Sequence, residues 1–394
     1  MFSADFFKTG CADARLLHQL GITRVGDITG LDVIGLPVWF ASRPNSRALS
    51  VSQGKGMTQA QARIAAVMEA AEGAIAERAE DVVERFASLA EIRQQGHQSL
   101  PLDRMMRCAA PDLDPTREFA WVRGYGLKSA TEILAPYELI GLDMRAKAPW
   151  DHQTFKMSSI GLAAGGNAEH ALTHGLLEVV EHDATSTLDL LGLGGNVARA
   201  IRPDTDIHPD LDQAIARITA AGFTPHFFDI SGRVALPVIA CFMTRTVMSD
   251  TAIGAKLSAG FACRADAYDA ALAALLECVQ SRATDIAGSR DDITAADYRE
   301  SLTQLPKIAG DIPPLASVSA HRAAATFAST ADMSAHVVNA VIASGAEDIF
   351  AFPLVSPVAG LHVTRVLVPG LNVGGTEGVT RAGAGLIDAL LRGM

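Results

Sequence analysis

Five glutamates define the chemistry open to this chain. Glu69 and Glu72 stand three residues apart, as do Glu178 and Glu181, and Glu277 is followed at the same spacing by Gln280. Aligned on Ala62, Ala171 and Ala270, the first acid of each set falls seven residues after its alanine. On a helix such positions share a face, and like charges there oppose helix formation by roughly 0.2–0.5 kcal/mol. A solvated acidic face accounts for one isolated pair. Three matching instances call instead for a compensating cation, and carboxylate oxygens suit hard ions such as Mg²⁺. A nucleoside triphosphate is the natural companion, because carboxylates alone would repel its phosphates.

The elements that must position these acids repeat as well. Each segment carries a glycine-containing stretch, QGKGMT, GLAAGGN or AGFACRAD, and then an alanine-rich, helix-like run. Thr58 with Gln61 fits a capping box, and Asn167 and Asp266 suit helix N-caps. Extended stretches such as SRALSVS and VALPVIACFM lie upstream. The expected unit is strand, glycine turn, acid-bearing helix, used three times. The nearest phosphate motif, the P-loop, fails at both ends: Leu49 stands where its first glycine belongs, and Gly56 follows Lys55 instead of Ser or Thr. Lys55 is therefore a secondary candidate for phosphate, beside its plainer place at a turn.

Composition narrows the classes. With 49% apolar and 20% charged residues the chain suits a soluble globular protein with ample core. A net charge of −11 argues against a broad nucleic-acid surface, which needs clustered Lys and Arg. No apolar run reaches membrane-spanning length, and MFSADFFKTGCADARLL lacks the pattern of a signal peptide. Cys11, Cys108, Cys241, Cys263 and Cys278 are scattered without C-x-x-C spacing. That usage fits reduced thiols and a cytoplasmic location.

Elsewhere, strands are expected at FAWVRGYGL and TEILAPYELIGL, and a surface helix within 204–225 leading to a strand at HFFDI. Residues 294–345 read as largely helical. The stretch FAFPLVSPVAGLHVTRVLVPGLNVGG reads as strands and turns before a final helix, AGAGLIDALLRG. No linker or abrupt composition change marks a domain border, so a single domain over 1–394 is expected.

SVSQGKGMTQAQARIAAVMEAAE, SSIGLAAGGNAEHALTHGLLEVVEHDA and AALAALLECVQSRATDIAGSRDD together resemble the YcaO family of ATP-dependent enzymes that modify peptide backbones. GITRVGDITGLDVIGLPVWFASRPNS and RVLVPGLN resemble the branch encoded beside TfuA-type partners. The resemblance spans a core of about 21–370 and implies an α/β fold of the α+β type, with the strand–glycine turn–helix units around a nucleotide site. It implies ATP and Mg²⁺ as cofactors, with metal held by Glu69, Glu72, Glu178, Glu181 and Glu277. Nucleotide contacts carry over to those five and to Ala163, Gly166, His170 and His182. It implies a peptide or protein substrate, a TfuA-type partner and a homodimer, with no nucleic-acid or membrane partner. In the family an amide oxygen is phosphorylated after a nucleophile adds to the amide carbon. Sulfide then gives a thioamide, a side chain an azoline, and an amine an amidine. The chain ends in IDALLRGM instead of the proline-rich tail of azoline-forming members, and leaves no room before Gly21 for a fused leader-binding domain. Thioamide installation is the branch this favours.

Some family positions differ. Gly166 replaces an asparagine, His170 a glutamate, and His182 and Ala273 replace arginines suited to phosphate, while Gly73 follows Glu72 where arginine is common. His170, His174, Glu178 and His182 instead form a stripe at four-residue spacing, a pattern able to hold a transition metal. A diverged metal-binding protein and a non-catalytic scaffold are thus the alternatives, beside azoline or amidine formation. Lys8 and Arg15 are weak candidates for an N-terminal nucleotide contact, and Arg43 and Arg47 for a peptide groove.

Overall fold

The computed structural model describes residues 14–107, 112–193, 197–246, 257–291, 316–318 and 326–371. Strands β1 (Arg24–Asp27), β2 (Val38–Ser42) and β3 (Val51–Lys55) form an antiparallel meander. A second sheet takes β4 (Val83–Ser88), β5 (Glu118–Gly126), β6 (Glu132–Pro136) and β7 (Leu162–Gly165). A third holds β8 (Arg199–Arg202), β9 (Phe223–Asp229), β10 (Val238–Arg245), β11 (Leu257–Cys263) and the short β12 (Ala316–Ser317), in the order β11-β10-β9-β8-β12. Late in the chain β13 (Phe350–Leu354) and β14 (His362–Leu367) join the second sheet between β5 and β7. Among the described strands the one parallel pairing is β8 with β12. The fold is the expected mixed type, with antiparallel sheets.

Three helices carry the acids. Helix α1 (Gln59–Ala76) starts at a complete capping box: the Gln61 amide donates to Thr58 Oγ1 at 3.2 Å, and the Thr58 amide to Gln61 Oε1 at 3.0 Å. Helix α2 (Ala168–Leu191) starts at Asn167, whose side chain accepts the His170 amide. The surface helix α3 (Pro209–Ala220) follows β8 and leads into β9, as expected. Helix α4 (Ala267–Ala287) starts at Asp266, which accepts the amides of Tyr268 and Asp269. Helix α5 (Thr330–Ala343) packs on α2, where the Thr173 and Ser334 hydroxyls meet at 2.8 Å.

The glycine stretches are strands where turns were expected. Gly54 and Lys55 end β3, Gly165 ends β7, and Gly260 lies inside β11. VALPVIACFM forms β10, so the strand that feeds α4 is its neighbour β11. The glycines are there for room. A Cβ on Gly54 would collide with the backbone of Ala62 and Ala66, one on Gly165 would lie 2.7 Å from the Ala171 nitrogen, and one on Gly260 would strike Ala274 and Cys278. Each helix lies directly on its own strand, and the alanines facing it (Ala62, Ala66, Ala171, Ala270 and Ala274) are fully buried.

Arg43 and Arg47 are structural ties. Arg43 is buried, pairs with Glu77 and donates to the Leu20 carbonyl at 2.9 Å; Arg47 donates to the Glu77 carbonyl at 2.7 Å. Both join the β2–β3 connection to the end of α1. Cys241, Cys263 and Cys278 are buried and not in disulfides. Cys11, Cys108, Lys8, the helical expectation over 294–315 and 319–325, and the final helix AGAGLIDALLRG lie outside the described residues; between them Ala316–Ser317 is the strand β12 and not helix, because it pairs with β8. No helix of the described residues is long and apolar enough to cross a membrane.

Candidate functional site

The acids are wired to strand backbones in a repeating pattern. Glu69 accepts the Gln53 amide of its own β3 at 3.3 Å, and Glu178 accepts the Gly161 amide just before its own β7, also at 3.3 Å. The second acid of each pair reaches the next unit. Glu72 on α1 accepts the Ala164 amide of β7 at 2.8 Å, and Glu181 on α2 accepts the Cys263 amide of β11 at 3.1 Å. Ala164 and Cys263 are equivalent positions, each seven residues before the aligned alanine. The equivalent residue in the first unit is Lys55, and its ammonium donates to Glu277 on α4 at 2.6 Å. The three units thus hand on from one to the next and close into a ring.

Inside that ring lies a cleft of about 690 Å³. Glu69, Glu72, Glu178, Glu181 and Glu277 line it, with Lys55, Ala163, His174, His182 and Arg264. A cleft of that size falls in the range that takes a nucleotide-sized ligand, roughly 300–1,000 Å³. Protein surrounds the carboxylates of Glu72, Glu178 and Glu181, whereas the open cleft keeps Glu69 in contact with water. Enclosure dominates the titration. It raises Glu69 against the pull of the Gln53 amide and Lys55, and pushes Glu72 up to about 8. Glu178 is raised well above the usual carboxylate range by burial and then by Glu72. Glu181 is pushed up to about 8 by burial and then by Glu277. Arg365 sits fully buried near Glu178 and donates to the carbonyls of Ile140, Ile160 and Ser158, fixing the loops under the cleft.

The site therefore stores electrostatic strain that a cation would relieve. A carboxylate raised by folding binds more protons folded than unfolded, so its contribution to stability falls as pH climbs from its ordinary value through its raised one. For Glu72 that window runs from the carboxylate range to about pH 8. In chelator, the melting temperature is expected to fall between pH 5 and about pH 8, and Glu72→Gln to fall less. Thermal unfolding across that range with both proteins checks it.

Seven of the nine positions expected to bind nucleotide come together here: the five glutamates, Ala163 and His182. Gly166 and His170 do not line the cleft. Gly166 lies in the link into α2, and His170 lies in the first turn of α2, buried with its Cβ against Gly165 and its amide donating to the cap Asn167. The histidine stripe is split accordingly: His174 and His182 face the cleft and His170 does not. Among the described residues no three His, Cys, Asp or Glu side chains are close enough to hold a metal ion by themselves. The cleft carboxylates are spread around the space. That donor set, all oxygen and no thiolate, fits Mg²⁺, which keeps several waters and uses phosphate oxygens for the rest. Arg264 is the residue sequence reasoning missed. It lies just past β11 and donates to the Cys263 carbonyl at 2.7 Å; its charge adds to the burial that lowers His174 and partly offsets the rise of Glu181. Its place two residues before the cap Asp266 was the available signal.

A profile of the family described as YcaO cyclodehydratase, ATP- and Mg²⁺-binding, matches residues 53–372. The chain belongs to the YcaO family. ATP and Mg²⁺ are the ligands of that family, as the acids led one to expect. This YcaO chain is 35% identical over 367 residues to an uncharacterized protein of the tfuA 3′ region in Rhizobium leguminosarum bv. trifolii, covering 91% of this chain and 85% of that one. An uncharacterized Methanothermobacter thermautotrophicus protein is 30% identical over 91% of both chains. Among solved structures, YcaO from Methanopyrus kandleri bound with AMPPCP and Mg²⁺ matches at a TM-score of 0.70 and 22% identity, over 91% of this chain and 88% of that one. The E. coli microcin synthetase McbBCD complex with pro-MccB17 bound matches at 0.64 and 17%, over 89% and 88%. At those identities the two structures speak for the fold.

Proposed function

We propose that this YcaO protein uses ATP and Mg²⁺ to activate a backbone amide of a ribosomally made peptide or protein, and that it installs a thioamide. The carrying observation is the closed ring of helix glutamates around a nucleotide-sized cleft. The relative from a tfuA region supports the thioamide branch and a TfuA-type partner. In this reading the chain works in the cytoplasm as a homodimer. ATP supplies the phosphoryl group that makes the amide oxygen a leaving group, and Mg²⁺ offsets the charge of its transfer. The net change is amide, hydrosulfide and ATP to thioamide, ADP and phosphate.

The chain's own residues divide the work. Glu69, Glu72, Glu178, Glu181 and Glu277 would hold Mg²⁺, their orientation set by the Gln53, Ala164, Gly161 and Cys263 amides and by Lys55. Arg264 and Lys55 bring positive charge to the cleft wall, where phosphates need it. Arg264→Ala is expected to weaken Mg–AMPPCP binding roughly tenfold, the loss of one charge-assisted hydrogen bond. Calorimetric titration checks it, with Arg264→Lys recovering part of the affinity.

The deciding experiment combines the protein with a TfuA-type partner, sulfide, Mg–ATP and the precursor peptide encoded nearby. Mass spectrometry then reads oxygen-to-sulfur exchange. Loss of water alone would mean azoline formation, and no peptide change with undiminished pathway output from Glu69→Gln/Glu178→Gln would mean a scaffold.

A further inference from the structure

A second, smaller space adjoins the cleft. It measures about 210 Å³ and shares Glu69, Glu72, Glu178 and Leu162 with the cleft wall. The two lie at successive levels of the same elements. Lys55, at the end of β3, lines only the cleft, whereas Val51 and Ser52, at its start, line only the small chamber. On α1 the cleft runs from Gln61 to Glu72, and the chamber continues past it to Gly73.

Size separates the occupants. The chamber is below the roughly 300 Å³ at which ligand pockets begin, and equals about seven waters of liquid volume. A nucleotide does not fit; one amino-acid residue does. Its mouth is apolar and fixed. Leu49 and Met144 stand there 39% and 46% exposed. Met144 is held by its amide on the Arg47 carbonyl at 2.8 Å, and the residue after Leu49, Ser50, by its amide on Asp291 at 2.9 Å. Arg43, the one cation of the lining, is spent on Glu77. Among the described lining residues no cation is left to pair with an acidic guest.

We infer that the chamber receives the substrate residue carrying the amide to be activated, entering past Leu49 and Met144, and that it selects an uncharged side chain of modest size. This rests on the amide-activation reading. Phosphoryl transfer places attacking and leaving oxygens roughly in line, so acceptor and nucleotide must meet the metal site from different sides. Two spaces divided by one set of carboxylates supply that arrangement. An acidic side chain would give up its hydration there with no cation to pair with, because Arg43 is held by Glu77.

Saturation-transfer NMR with blocked trialanine and blocked triaspartate as probes, with and without Mg–AMPPCP, tests the assignment. Trialanine is expected to receive signal and triaspartate little. Leu49→Trp and Met144→Trp, at the exposed mouth where folding tolerates bulk, should each weaken trialanine binding roughly tenfold. Val355→Trp, a comparably exposed position away from the chamber, serves as the control for added tryptophan. Equal transfer to both peptides, or undiminished trialanine binding in the two mouth variants, overturns the inference. Failure of Mg–AMPPCP to bind wild-type protein counts instead against amide activation, and the nucleotide-free peptide arm still judges the chamber.

Discussion

Glu178→Gln is expected to weaken Mg–AMPPCP binding by at least about 100-fold while leaving the fold intact. Loss of an outer partner already costs a metal site roughly 10- to 100-fold, and the proposal makes Glu178 a direct ligand. It lines both the cleft and the adjoining chamber, as Glu69 and Glu72 do. Burial raises it well above the usual range, so glutamine imitates the protonated state the empty site prefers. The metal-free variant should therefore melt no lower than wild type. What should vanish is the rise in melting temperature on adding Mg–AMPPCP, which reports ligand affinity through mass action. An undiminished rise in Glu178→Gln would remove Glu178 from the metal site.

The second large effect is expected from one methyl group. Gly54→Ala puts a Cβ into the backbone of α1 at Ala62 and Ala66, where no side chain can swing away. Overpacking typically costs 1–3 kcal/mol, and the rigid neighbour places this case at about 3 kcal/mol. The site should suffer beyond the loss of stability. To make room α1 must lift off β3, which takes Glu69 from the Gln53 amide and Glu72 from the Ala164 amide. Chemical denaturation measures the first effect, and nucleotide titration of the folded fraction measures the second. Retained affinity in a destabilised Gly54→Ala would show that the helix-to-strand distance does not position the acids.

Much of the site was legible because its signals are local. The three helix starts follow from Thr58 with Gln61, Asn167 and Asp266, whose capping bonds span two or three residues. The acid spacing is likewise a property of one helix at a time. The glycines were misjudged for the opposite reason. A glycine that turns the chain and a glycine that makes way for a helix look alike until the helix has been laid on the strand. Gly166 and His170 fell outside the cleft because the Asn167 cap seats His170 against Gly165, a contact decided by packing. Arg264 was overlooked because its value depends on facing His174 and Glu181, which are remote in sequence.

Read alone, then, the sequence determined which acids would line the cleft, which helices bear them, and that hard cations and a nucleotide suit them. Tertiary structure alone decided that Glu72 and Glu181 reach into the following unit, that Lys55 closes the ring on Glu277, and that the acids divide a large cleft from a small chamber. Helical spacing and capping are written within a few residues, whereas each of these contacts joins segments that only the packed sheets bring together.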